Sequence, residues 1–191
     1  GDFKTSLAWA RKASEMAPRW SKPWSRVGLA AWKLREYHEA VEACAKAVEL
    51  EPSRENVATL LSNACQMEGP SVDEAHSHKE KGNEAVRSHE LGLAVAMYTI
   101  AIARLPGPPK APEDDGEQSP HEGAAPPDEH ALLRAILHAN RSCAFSRLRN
   151  WDLAVEDGKA AVAASPGIPY ARCQLGAAYL GQGLHQEAYT E

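Results

Sequence analysis

Apolar and polar positions follow a helical period along most of the chain, and the helical stretches repeat with a unit of 34 residues. The clearest unit runs from Ser21 to Arg54. Trp24, Val27, Gly28 and Ala31 recur on one face. The turn Arg35-Glu36-Tyr37 follows, then Ala40, Cys44 and Ala47, and Pro52 closes the unit. Small residues at Gly28, Ala40 and Ala47 predict two helices in close approach, and Pro52 cannot continue the second one. The template recurs. Ser6, Ala10, Ala13 and Pro18 predict the second helix of a preceding pair, and Gly82, Ala85, Ala94, Tyr98, Ala101 and Pro106 a complete pair. Ser142, Phe145, Ala154, Gly158, Ala161 and Pro166 predict the next, and Leu175, Gly176, Tyr179 and Ala188 begin a last one.

Two interruptions divide the pattern. Glu55 to Gln66 keeps apolar periodicity through Val57, Leu60 and Leu61 without the small-residue code, which predicts a capping helix, and Gly69-Pro70 predicts a linker. From about Gly107 to Asp128 the chain is rich in proline, glycine and acidic residues, the composition of a disordered insert between two helix pairs. The expected organisation is residues 1–67 as the rear part of one repeat domain and residues 68–191 as a second, truncated domain carrying the insert. A start at Gly1 rather than methionine suggests a fragment.

Charge changes the picture little. The net charge is −5, and Gly107 to His130 holds seven acidic residues against Lys110, so the remainder is close to neutral and offers no footprint for nucleic acid. No apolar run reaches membrane-spanning length. Cys44, Cys65, Cys143 and Cys173 lack metal-ligand spacing and sit in helical patterns, where free, mostly buried thiols in a reducing cytoplasm are expected. His76 and His78 point apart on a helix, so no metal or other cofactor is expected. Trp9, Trp20, Trp24, Trp32 and Trp151 are scattered, and most are expected to pack in the core or between repeats. No nucleophile elbow, phosphate loop or dinucleotide fingerprint occurs, which points away from an enzyme.

The period and its small-residue code are those of the tetratricopeptide repeat (TPR). The expected fold is therefore all-α: helix pairs stacked into a right-handed superhelical solenoid, in two stacks joined by a short linker. The first helix of each pair lines the concave groove. Lys79 and Asn83 lie four apart on one such helix, and Asn140 occupies a corresponding position on the next.

The runs His78-Lys79-Glu80-Lys81-Gly82-Asn83, Ala139-Asn140-Arg141-Ser142-Cys143-Ala144-Phe145 and Ala154-Val155-Glu156-Asp157-Gly158 resemble the TPR co-chaperones that organise the heat-shock chaperones. In that family lysine, asparagine and arginine positions form a carboxylate clamp. It holds the terminal carboxylate and the aspartate of a Glu-Glu-Val-Asp tail. The resemblance implies that Lys79, Asn83 and Asn140 are clamp residues. At the last two clamp positions this chain has Tyr170 and Gln174, with Arg172 one helical step off. It also implies a second set, because Ser21-Lys22-Pro23-Trp24-Ser25-Arg26 supplies Lys22 and Arg26 at the lysine and arginine positions of a preceding clamp. The implied function is a non-enzymatic, cytoplasmic adaptor for chaperone tails. The alternatives are a scaffold for a different peptide or protein partner, and the docking portion of a larger enzyme.

Overall fold

The computed structural model describes residues 2–67, 69–107, 130–184 and 187–188, and among these the regular structure is helical throughout. The acidic insert expected from Gly107 to Asp128 lies, apart from Gly107, outside the described residues. The helices are α1 (Phe3–Met16), α2 (Ser21–Lys33), α3 (Tyr37–Leu50), α4 (Arg54–Ala64), α5 (Val72–Arg87), α6 (Leu91–Ala103), α7 (Ala131–Arg147), α8 (Trp151–Ala164) and α9 (Pro169–Gln182). Three starts are capped by side chains that accept from otherwise orphaned amides: Asp2 from Lys4 and Thr5, Ser53 from Asn56, and Ser71 from Glu74. Pro169 opens α9, where a missing N–H costs nothing.

One turn geometry recurs inside the pairs α2–α3, α5–α6 and α7–α8. The first helix ends in a left-handed residue, Arg35 (φ 64°), His89 (φ 63°) or Arg149 (φ 60°). The next amide reaches back to the last turn: Glu36 N to Ala31 O at 2.9 Å, Glu90 N to Ala85 O at 2.8 Å and Asn150 N to Phe145 O at 2.9 Å. This is the Schellman closure, and α9 ends the same way with Gly183 (φ 85°) and Leu184 N to Tyr179 O at 2.9 Å.

Small residues then let the paired helices touch. A Cβ at Gly28 would strike the Cys44 sulfur, and one at Gly82 would lie 2.6 Å from Cε1 of Tyr98. Helix α6 is apolar on all sides and is enclosed by α3, α4, α5 and α7. Because α6 meets both α3 and α4, a single packed core runs from Val41 through Leu60, Tyr98 and Phe145 to Tyr179, across the turn at Gly69-Pro70. Leu7, Val27, Ala31 and Ala40 form a second cluster between α1, α2 and α3.

Some packing expectations are corrected. Cys44 is buried, and burial pushes its thiol up to about 11, but Cys65 and Cys173 are exposed. All four cysteines are free thiols. Trp24 and Trp32 pack against the second cluster and Trp151 lies against Gly181, whereas Trp9 and Trp20 are exposed at 66% and 56%. Among the described residues no helix is long and apolar enough to cross a membrane, and no group of three or more His, Cys, Asp or Glu could hold a metal.

Candidate peptide-binding groove

Helices α5, α7 and α9 present a connected row of polar side chains, fixed from below by α6. The bare Cα of Gly82 lets the Tyr98 ring lie against α5, so that the Tyr98 hydroxyl donates to Asn83 Oδ1 at 2.9 Å. The same oxygen accepts from Asn140 Nδ2 at 3.3 Å, which joins α7 to α5. From α9 the Tyr170 hydroxyl donates to Asn140 Oδ1 at 3.0 Å. At the other end, the Glu80 carboxylate accepts from Asn83 Nδ2 at 3.3 Å and pairs with Lys79 Nζ at 3.1 Å.

The electrostatics follow from these contacts. Lys79 and then Asn83 hold the Glu80 carboxyl below its ordinary value, so it stays an anion. Burial pushes the Tyr98 and Tyr170 hydroxyls above theirs, and both remain protonated donors at neutral pH. The row therefore contains one cation, one anion, two amides and two phenols.

Beneath the row lies a buried ion pair. Asp157 of α8 accepts from Arg141 Nε at 2.7 Å and Nη2 at 2.8 Å, and its Oδ1 lies 2.9 Å from His138 Nδ1. Arg141 Nη1 also donates to Thr99 Oγ1 of α6 at 2.9 Å. Burial opposes the charge on Asp157, yet Arg141 and His138 hold its carboxyl below the ordinary value. Arg141 adjoins Asn140 in sequence, so pinning its side chain inside the fold fixes the rotation of α7 and with it where Asn140 points.

The sequence-selected residues are thus distributed over three places. Lys79, Asn83 and Asn140 come together in the row. Lys22 and Arg26 lie on the exposed face of α2, lining a separate hollow with Trp9, Ala13, Trp20 and Pro23. Arg172 joins neither group. Its offset of two residues from Tyr170 puts it on the other side of α9, in a hollow with Pro166, Pro169, Cys173 and Gly176. Tyr98, Glu80, Arg141 and Asp157 were not selected from sequence. Tyr98 carried a signal, a large phenol opposite the obligatory Gly82, but packing alone also explains that pairing.

Helix pairs of this geometry, stacked and closed by one recurrent turn, form an all-α helix-pair solenoid. Residues 21–54 match the family model of the tetratricopeptide repeat. The chain is 30% identical over 114 residues to small glutamine-rich tetratricopeptide repeat-containing protein 2 of Saccharomyces cerevisiae, a match covering 60% of this chain and 25% of that protein. It is 40% identical over 55 residues to the protein of the same name in Mycosarcoma maydis, covering 29% of this chain and 16% of that one. The chain therefore spans a quarter or less of the curated relatives it matches. Similar solved structures include the TPR2AB-domain:pHSP90 complex of yeast Sti1, at 17% identity and TM-score 0.45 over 100% of this chain and 71% of that one. Another is the Cut9-Hcn1 hetero-tetramer of APC/C, at 16% identity and TM-score 0.46 over 99% of this chain and 35% of that one.

Proposed function

We propose that this chain is a non-enzymatic, cytoplasmic peptide-binding adaptor whose groove across α5, α7 and α9 holds the terminal carboxylate of an acidic chaperone tail. The observation that carries the reading is the convergence of Lys79, Asn83 and Asn140, from two different helices, into one hydrogen-bonded row. Lys79 supplies charge. Each asparagine keeps one amide N–H beyond those used inside the row, and together these donors suit a carboxylate. An incoming carboxylate displaces Glu80 from Lys79, exchanging one exposed anion for another at little cost. Lys22 and Arg26 offer a second, exposed cationic surface, and engagement of both by linked tails would raise avidity.

The test is fluorescence anisotropy of a labelled peptide ending in Glu-Glu-Val-Asp, as free acid and as C-terminal amide, against the wild-type chain and Lys79→Ala and Asn83→Ala. Micromolar binding that vanishes on amidation and weakens in both variants is expected. Binding indifferent to the carboxylate would refute the clamp and favour the second reading, a scaffold for a different peptide, which Tyr170 and Gln174 at the expected cation positions support.

A further inference from the structure

The two ends of the row differ in what they can offer a ligand. Near Lys79 the groove donates. The Tyr170 hydroxyl at the other end does not, because a phenol has one proton and that proton is committed to Asn140 Oδ1 at 3.0 Å. Asn140 Oδ1 has no other bond within the row, since Asn140 Nδ2 is the group that reaches Asn83. The Tyr170 oxygen therefore faces the groove with lone pairs. Gln174 lies one turn further along the same face of α9 and adds an uncharged amide rather than a cation. Other nearby cations are engaged elsewhere: Arg87 Nε with Glu84 at 2.9 Å and Arg147 Nη2 with His89 at 3.3 Å.

We infer that Tyr170 is a specificity-determining residue: it makes the α9 end of the groove a hydrogen-bond acceptor, which fits a peptide bearing an asparagine or glutamine side chain beside its terminal carboxylate and disfavours a second carboxylate there. A carboxylate beside Tyr170 would face the lone pairs of its oxygen unless the phenol turned its proton away from Asn140, which leaves Asn140 Oδ1 without its donor. It would also add a negative charge to a row in which Lys79 already faces Glu80. A side-chain amide gives an N–H to the Tyr170 oxygen with the internal bond intact. This inference rests on the reading of the Lys79 end as a carboxylate site.

The experiment compares two free-acid peptides, ending in Glu-Glu-Val-Asp and in Glu-Glu-Val-Asn, by anisotropy against wild type, Tyr170→Phe and Tyr170→Lys, with circular dichroism to show that each variant is helical. Wild type should favour the asparagine peptide about five-fold, the scale of one net hydrogen bond. Tyr170→Phe should lose the preference and Tyr170→Lys should reverse it. Equal or tighter binding of the aspartate peptide by wild type, a ratio unmoved by Tyr170→Lys, or no binding of either peptide would overturn the inference. Amidated versions of both peptides separate the two questions. Affinity lost on amidation upholds the carboxylate reading whichever peptide binds better, and a preference for asparagine that survives amidation upholds the role of Tyr170 while sinking the clamp.

Discussion

The α2 surface and the α5–α7–α9 row carry the same kind of residues and hold their cations differently. Lys22 and Arg26 are exposed, line their hollow without a carboxylate and sit beside the exposed rings of Trp9 and Trp20. Lys79 is only 21% exposed in its side chain, faces Glu80, and belongs to a row whose amides are oriented by two tyrosines and supported from below by Arg141 and Asp157. Loose charge attracts acidic ligands in general and is screened by salt, whereas fixed donors select one geometry. The contrast predicts that the groove discriminates between peptide ends and that the α2 surface does not.

The largest effect should come from breaking what fixes the groove. Asp157→Ala leaves Arg141 charged, buried and short of its partner, an arrangement that costs about 3–5 kcal/mol. Urea unfolding should show that loss, while Lys22→Ala/Arg26→Ala on the exposed surface should stay within about 0.5 kcal/mol of wild type. The same pair sets an acid limit. The folded carboxyl of Asp157 titrates below its unfolded value of about 3.9, so its contribution is complete above that pH and disappears as pH falls through the folded value. Thermal melts between pH 6 and 2 should therefore fall more steeply for wild type than for Asp157→Asn. Equal slopes would show that the pair does not hold the groove.

A smaller effect should follow from Gly82→Ala. The added methyl meets the Tyr98 ring at 2.6 Å, so the ring must move and take its hydroxyl from Asn83. The expected cost is about 1–3 kcal/mol of stability, together with weaker peptide binding in the groove. Tyr98→Phe keeps the ring and removes only the donor. It should cost about 1 kcal/mol and leave Asn83 held by only the two 3.3 Å bonds to Asn140 and Glu80, so that selectivity for the free-acid peptide falls more than stability does. Anisotropy and unfolding measured on the same variants distinguish the two cases.

The solenoid was legible in the sequence because close helix approach tolerates few residue types. Gly28 opposite Cys44 and Gly82 opposite Tyr98 are steric requirements, and such requirements repeat visibly every unit. Lys79 and Asn83 share a face by spacing alone, and their meeting with Asn140 followed from the register of the repeats and the family resemblance. What stayed hidden depends on side-chain direction. Arg172 is two residues from Tyr170, and the helical period turns that small offset into the opposite side of α9. The Arg141–Asp157 pair joins two helices through a buried contact for which hydrophobic periodicity has no term. Glu80 reads as an ordinary solvated residue, and its role as counter-ion appears only once Lys79 and Asn83 are seen to share it. The exposure of Trp9 was equally unreadable, since an aromatic residue on an amphipathic helix reads first as core.

The smallest effect tests a feature that both regions share. Arg35, at the end of α2, and Arg149, at the end of α7, hold the left-handed conformation that closes their helix pairs, and Gly183 fills that role after α9. A side chain in this conformation is disfavoured by about 1–2 kcal/mol, and glycine removes that strain at the expense of a more disordered unfolded chain. Arg35→Gly and Arg149→Gly should therefore each raise stability by about 0.5–1 kcal/mol. Neither substitution alters the α2 surface or the groove, so peptide affinities should not change. If Arg149→Gly stabilises the fold and also loosens selectivity in the groove, the turn itself helps to orient α7. The rigidity of the row would then depend on its ends as well as on the ion pair beneath it. If both variants are neutral in binding, the difference between the two surfaces lies in the side chains named above.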